Sequence, residues 1–314
     1  MTFRAATLFF LATASLAACG SDSSPETNDT VITTAPTTKT PTTMDPATEA
    51  TATTSALPIG DGRLSTTEPA VGWVYTCVTP RGGGGAFADG PWIDTATDTW
   101  DPSQKVHVSG EVTWDHRSSF TTTGGSRGVD TNDLPDHPTG VFPISRDDEA
   151  FNYDRNPNSI TEQSVSWTLP TNPVKADTPR CLNMGAIGVM TTGSVLFNAL
   201  DAEGRDAAAH ETLDSCDGHP EISGAYHYHN LSTCNPAYGS AEPTLVGWAA
   251  DGFPIVTGQI DGHDASNADL DECHGRDTTI EIDGTPTDTY AYWMTVEYPY
   301  SIGCFWGTEI ATGD

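Results

Sequence analysis

The chain has 314 residues, of which 43 are acidic and 13 basic, and its formal net charge is −30. This excess of carboxylates excludes nucleic-acid binding through neutralised phosphates and favours a soluble surface that attracts cations. No stretch of the sequence is long and apolar enough to predict a transmembrane helix.

Residues 1–18 predict the signal peptide of a bacterial lipoprotein. One basic residue, Arg4, precedes a short apolar run, and Leu16-Ala-Ala-Cys19 resembles the lipobox in which a signal peptidase cuts before the cysteine. Cys19 would then carry the lipid and anchor the protein to the outer face of a bacterial membrane. An ordinary signal peptide with an incidental cysteine is the alternative.

Residues 19–57 predict a disordered tether. They consist largely of Thr, Ser, Pro and Ala. Such a segment cannot bury enough apolar surface to offset the entropy lost when it becomes ordered. Residues 58–314, about 250 residues, remain for a globular domain.

The first part of that domain shows short β-rich runs separated by loops. Runs of β-branched and aromatic residues predict strands at 72–78, 107–114 and 164–169. Clusters of Gly, Thr, Pro, Asp and Asn predict loops at 82–85, 121–128 and 133–158. Helical periodicity is confined to a short window at 202–213. The predicted fold is therefore mainly β, a β-rich α+β domain.

The second half contains an internal repeat, in which residues 187–234 align with residues 246–304. Five short motifs match in the same order, and Tyr226-His-Tyr-His229 falls opposite Tyr290-Ala-Tyr-Trp293. Self-similarity of this kind predicts two copies of one β-unit that pack together, because neither copy buries its own apolar face alone.

The cysteines predict three disulfides. Apart from Cys19 there are six, an even number that is typical of an exported, disulfide-bonded chain. Equivalent cysteines of the two copies should form equivalent bonds. This symmetry predicts the pairs Cys216–Cys234 and Cys273–Cys304, which leaves Cys77 to pair with Cys181. Crossed bonds between the two copies would also respect the symmetry and are the alternative.

Several uncommon motifs occur in a fixed order between residues 135 and 307. They include Phe197-Asn-Ala-Leu-Asp-Ala-Glu-Gly204, Tyr226-His-Tyr-His229, Asp251-Gly-Phe-Pro-Ile255 and Tyr298-Pro-Tyr-Ser-Ile-Gly-Cys-Phe305. In these motifs the chain resembles the YHYH-domain proteins. The resemblance implies an exported bacterial domain and does not imply a particular reaction.

The segment between Cys216 and Cys234 concentrates side chains that bind metals. In an extended strand His227 and His229 point to one face, because alternate residues share a face. Neutral imidazoles suit a divalent transition metal, with Cu or Zn preferred and Ca²⁺ the weaker candidate. The predicted ligands are His219, His227, His229 and Asp217, with His210, Asp251, Asp271 and His274 as further candidates.

Three classes of function fit these observations. The first is a metal-binding, membrane-tethered lipoprotein. The second is a hydrolase-like enzyme that uses a metal or a His/Asp acid–base pair, favoured by an open coordination position. The third is an extracellular ligand-binding or adhesion module, in which the tyrosines and tryptophans form the binding surface and the histidines only hydrogen-bond in a polar core. The sequence predicts no particular substrate, small-molecule ligand or cell-surface partner.

Overall fold

A computed structural model describes residues 56–308 and 310–311. The predicted signal peptide, the predicted lipidation site Cys19 and the predicted tether up to residue 55 lie outside the described residues. Within the described part, no helix has the length and apolarity that a membrane span requires.

The described elements are almost all strands, which confirms the predicted β-rich fold. The strands are β1 (Leu57–Pro58), β2 (Leu64–Ser65), β3 (Val74–Tyr75), β4 (Ile93–Asp94), β5 (Thr99–Trp100), β6 (Ser118–Thr123), β7 (Ser126–Thr131), β8 (Val165–Pro170), β9 (Lys175–Arg180), β10 (Ala186–Met190), β11 (Val195–Phe197), β12 (Gly218–Pro220), β13 (Tyr226–Tyr228), β14 (Thr244–Ala249), β15 (Pro254–Thr257), β16 (Gln259–Ile260), β17 (His263–Asp264), β18 (Gly275–Ile282), β19 (Thr285–Trp293) and β20 (Phe305–Gly307). The helices are α1 (Ala207–His210) and three 3-10 turns at Pro102–Gln104, Glu149–Asn152 and Asn267–Asp269.

An eight-stranded sheet with the order β12-β13-β11-β10-β14-β15-β19-β18 organises the molecule. Its two halves meet at the antiparallel pair β10–β14. On each side of this pair come an antiparallel hairpin partner, then a strand parallel to that partner, then an antiparallel edge strand. The two segments that align in the sequence therefore occupy equivalent places in the sheet.

The central hairpin of each half turns at a glycine. Gly193 and Gly252 have φ angles of 93° and 89°, a region that L-residues with a Cβ rarely adopt. A Cβ at Gly193 would collide with the His116 ring, and one at Gly252 would lie 2.7 Å from Pro170. Both turns therefore require glycine for conformation and for space.

Smaller sheets surround the central one. They have the orders β1-β5-β4, β2-β3, β6-β7-β8, β16-β17 and β20-β9. Two of the strands predicted in the first part are present, as β3 and β8, and α1 lies within the predicted helical window. Fully buried side chains of Ile187, Leu196, Val246 and Ile255 fill the core of the central sheet.

Two predictions for the first part are wrong. Residues 107–114 form two isolated bridges, from Val108 and Val112, because their pairing partners are single residues of irregular segments. The stretch 121–128, predicted as a loop, belongs to the β6–β7 hairpin. Gly124 and Gly125 form the tight turn, and alternate residues of β7 point inward.

Three disulfides brace the described part. They join Cys77 to Cys181, Cys216 to Cys234 and Cys273 to Cys304. Each half of the sheet thus has one internal disulfide in the equivalent place, and the crossed alternative is not what the chain forms.

Candidate metal centre

Two short strands at one edge of the sheet position three histidines. His219 on β12 lies directly opposite His227 on β13 in an antiparallel register. His229 follows β13, and its side chain returns to the face of His227 because alternate residues share a face. The three side chains are buried, with exposed fractions of 4%, 3% and 2% for His219, His227 and His229.

The three imidazoles converge through their Nε2 atoms. The Nε2 of His229 lies 3.2 Å from that of His227 and 3.3 Å from that of His219. One ring nitrogen from each histidine lies within 4.8 Å of the other two. Around a tetrahedral ion with bonds of about 2.0–2.1 Å, neighbouring nitrogens are about 3.3–3.4 Å apart. The separations therefore match those of neighbouring ligands on one metal ion.

Backbone carbonyls determine the tautomer of two of these rings. The Nδ1 of His229 lies 2.6 Å from the carbonyl oxygen of Asn198, and the Nδ1 of His227 lies 3.2 Å from that of Ala225. Because a carbonyl oxygen can only accept, each Nδ1 carries the proton and donates it. In the neutral rings the Nε2 atoms of His227 and His229 then each carry a lone pair, and these two atoms lie 3.2 Å apart. Carbonyl partners of this kind commonly orient metal-binding histidines.

The surroundings keep the rings of His219 and His227 neutral. Burial lowers the pKa of His219 and of His227 well below the usual range, and the neighbouring imidazoles lower them further. These two rings therefore present uncharged nitrogen donors at neutral pH, which is the form that binds a transition metal.

A carboxylate completes the cluster. The Oε2 of Glu211 lies 3.3 Å from the Nε2 of His219 and 3.4 Å from that of His229. This oxygen is buried and receives no hydrogen bond from the described residues. The unprotonated Nε2 of His229 cannot donate to it, so a cation between the carboxylate and the rings would satisfy both. Glu211 was not among the predicted ligands, because only the fold brings the end of α1 onto β12 and β13.

The ring of Phe197 and the loop of glycines at residues 82–85 cover the cluster. Phe197 stacks on the His227 ring at 3.9 Å between centroids. Gly85, in the predicted glycine loop, runs so close to Glu211 that a Cβ at this position would lie 2.9 Å from its Oε1. The glycine loop therefore lets the backbone pass directly over the carboxylate.

Two predicted ligands near the cluster have other partners. The carboxylate of Asp217 accepts a hydrogen bond from the backbone N–H of Thr233 at 2.9 Å. The ring of His210 lies between two carboxylates, 2.9 Å from Asp61 and 3.0 Å from Asp89. Neither side chain is part of the histidine cluster.

The three candidates from the second half also lie away from the cluster. Asp251 accepts from the hydroxyl of Tyr292 at 2.6 Å, and Asp271 accepts from that of Tyr290 at 2.9 Å. His274 is buried, and its Nε2 lies 3.0 Å from the Thr295 hydroxyl. These three side chains therefore form hydrogen bonds within the second half of the chain.

Another group with metal-ligand atoms is His137 with Cys216 and Cys234. The two sulfurs are joined in a disulfide and offer no thiolate. The Nε2 of His137 lies 2.7 Å from the hydroxyl of Tyr228 instead. This group is therefore a packing contact behind the histidine strand.

Fold and site together define a mainly β, disulfide-braced protein with a buried His₃–Glu cluster at one sheet edge. Residues 166–267 match the family model described as YHYH protein, which confirms the predicted resemblance over that stretch. The matched stretch contains all four side chains of the cluster. Comparison with curated proteins and with solved structures gives no match.

Proposed function

We propose that the protein binds one divalent transition metal ion, Zn²⁺ or Cu²⁺, through His219, His227 and His229. The observation that carries the proposal is the pair of Nε2 atoms, 3.2 Å apart, whose rings donate their protons to carbonyls on the far side. Two lone pairs at this distance repel each other, and a shared cation turns the repulsion into coordination. Glu211 supplies a negative charge that offsets part of the charge of the ion.

The burial of the cluster supports a binding role rather than turnover. Every ligand-type side chain is almost fully covered, Phe197 packs on one side, and the glycine loop passes over Glu211. A closed site is typical of ions that are held, whereas catalytic sites keep a position open to substrate. The function proposed is therefore stable retention of the ion.

The proposed location is the outer face of a bacterial membrane. The lipobox at Cys19 and the tether of residues 19–57 would place the folded part at a distance from the lipid surface. The three disulfides support this location, since they form and persist in oxidising compartments.

Elemental analysis of the purified, disulfide-bonded protein tests the proposal. After loading with Zn²⁺ or Cu²⁺ and gel filtration, we expect about one equivalent in the wild type and almost none in His227→Ala/His229→Ala, since two donors are lost. His274→Ala is the matched control, because it removes a buried histidine outside the cluster and should leave the metal content unchanged. Circular dichroism checks that all three proteins are folded. A metal-free wild type after loading would contradict the proposal.

A further inference from the structure

A groove of about 540 Å³ lies apart from the metal centre. It is lined by the N-terminal part, by the loop after β13 and by the second half of the chain, including Leu57, Trp100, Leu231, Tyr238, Met294 and Tyr300. None of the four side chains of the histidine cluster is part of its lining. The volume falls in the range of small-molecule binding sites, about 300–1,000 Å³.

One buried ammonium group lines this groove. The side chain of Lys105 is 8% exposed, and its Nζ donates a hydrogen bond to the backbone carbonyl of Ala208. The Nζ lies 5.7 Å from the centre of the Trp100 ring. Within the described residues Lys105 forms no ion pair, so two of its three N–H donors have no protein partner.

A buried cation without a hydrogen-bonded counter-ion is an incomplete arrangement. Removing a charge from water is costly unless an opposite charge or a full set of hydrogen bonds replaces the water. Burial lowers the pKa of Lys105 to about 8. Four carboxylates that form no ion pair with Lys105 act in the opposite direction, those of Asp217, Asp206, Glu211 and Asp154. An anion in the groove would supply the missing partner.

The rest of the lining specifies the other part of the ligand. The aromatic and aliphatic side chains of the lining suit an apolar body, and at the groove Tyr238 and Val296 remain 51% and 56% exposed. Two aspartates also line the groove and accept hydrogen bonds from uncharged donors, Asp217 from Thr233 and Asp264 from Gln259, so a ligand with more than one negative group would be repelled. An apolar molecule with a single negative group is the chemistry that fits.

We propose that this groove binds a small apolar monocarboxylate. Its carboxylate pairs with the ammonium of Lys105, and its apolar part packs against Trp100 and Leu231 and reaches Tyr238 at the surface. The proposal does not depend on metal binding, because the groove and the histidine cluster share no side chain.

Isothermal titration calorimetry with octanoate and with 1-octanol, in detergent-free buffer, tests the proposal. The two probes have the same chain length and differ in charge. We expect Lys105→Met to weaken octanoate binding about 10- to 100-fold, since hydrogen bonds to charged groups contribute about 1.5–3 kcal/mol. Binding of 1-octanol should stay within about twofold of the wild type, because only the apolar contacts hold it.

Two further variants locate the binding. Tyr238→Ala, which removes a half-exposed side chain and leaves the core intact, should weaken both probes to the same degree. His227→Ala/His229→Ala should bind octanoate as the wild type does, so that failure of the metal proposal is seen separately. The proposal is overturned if the wild type does not bind octanoate, if Lys105→Met binds it as tightly as the wild type, or if Tyr238→Ala changes neither probe.

Discussion

The two halves of the central sheet share a framework. In the first half, Asp214 accepts hydrogen bonds from the backbone N–H groups two and four residues after it and from the hydroxyl of Tyr226. In the second half, Asp271 accepts the same two backbone bonds and the hydroxyl of Tyr290. A disulfide starts two residues after each aspartate. This aspartate, tyrosine and disulfide arrangement is therefore what shapes each half.

The halves differ at every ligand-type position of the cluster. The register that pairs His219 with His227 pairs Arg276 with Ala291 in the other half. The place of His229 is taken by Trp293, which is buried and donates its indole N–H to the carbonyl of Gly258 at 3.2 Å. Glu211, two residues before Leu213, corresponds to Ala268, two residues before Leu270.

This difference separates structural residues from candidate functional ones. The tyrosines and aspartates are present in both halves, so they are part of the fold. The histidines and the glutamate occur in one half, and the other half folds in the same way without them. The four side chains are therefore not needed to form the strands, which agrees with a role in binding.

The prediction with the largest expected effect tests whether the two halves depend equally on their aspartates. Asp214→Ala and Asp271→Ala should each lower the free energy of unfolding by about 3 to 5 kcal/mol, because each leaves several buried donors without an acceptor. Urea unfolding with the disulfides intact measures both. A loss in only one variant would show that the two halves do not rely on the same bonds.

Metal removal should affect the first half of the sheet more than the second. A ligand held at about 100 times its Kd stabilises the folded state by about 2.7 kcal/mol, so chelation should lower the free energy of unfolding by about that amount. Hydrogen exchange should show a larger loss of protection in β12 and β13 than in β18 and β19, because local opening at the site adds to the global loss. The variant His227→Ala/His229→Ala serves as the control and should not respond to the chelator. An equal loss of protection in both halves would argue against a site at β12 and β13.

The smallest expected effect concerns His274, which holds the position of Asp217 in the other half. Both residues have a φ of 66°, a region that asparagine tolerates. Burial lowers the pKa of His274 to about 3, whereas the unfolded chain takes up the proton near 6.5. Folding stability is therefore complete above pH 6.5 and is lost as the pH falls from 6.5 towards 3.

His274→Asn should remove this part of the acid sensitivity. Below pH 6.5 the wild type should lose about 1.4 kcal/mol more per pH unit than the variant, because one proton is bound on unfolding. Urea unfolding at pH 7, 6 and 5 gives both slopes. Parallel slopes would mean that His274 is not held neutral in the folded chain.

Much of the site could be predicted because its pattern is local. Alternation in a strand places His227 and His229 on one face, and His219 lies within the same disulfide-closed segment. Glu211 could not be predicted, because its approach depends on how α1 packs against β12. Asp251, Asp271 and His274 were candidates only through the repeat, and each has its own hydrogen-bond partner within the second half.

The sequence by itself determined the β-rich class and the stretch that carries the histidines, and it favoured the observed pairing of the cysteines. These follow from residue type, two-residue periodicity and the internal repeat, which depend on neighbours along the chain. Only the tertiary structure decided which acidic side chain reaches the histidines, which candidates remain in the framework, and that Lys105 lines a groove without a hydrogen-bonded counter-ion. Those outcomes depend on contacts between segments far apart in the sequence, and no local pattern records such contacts.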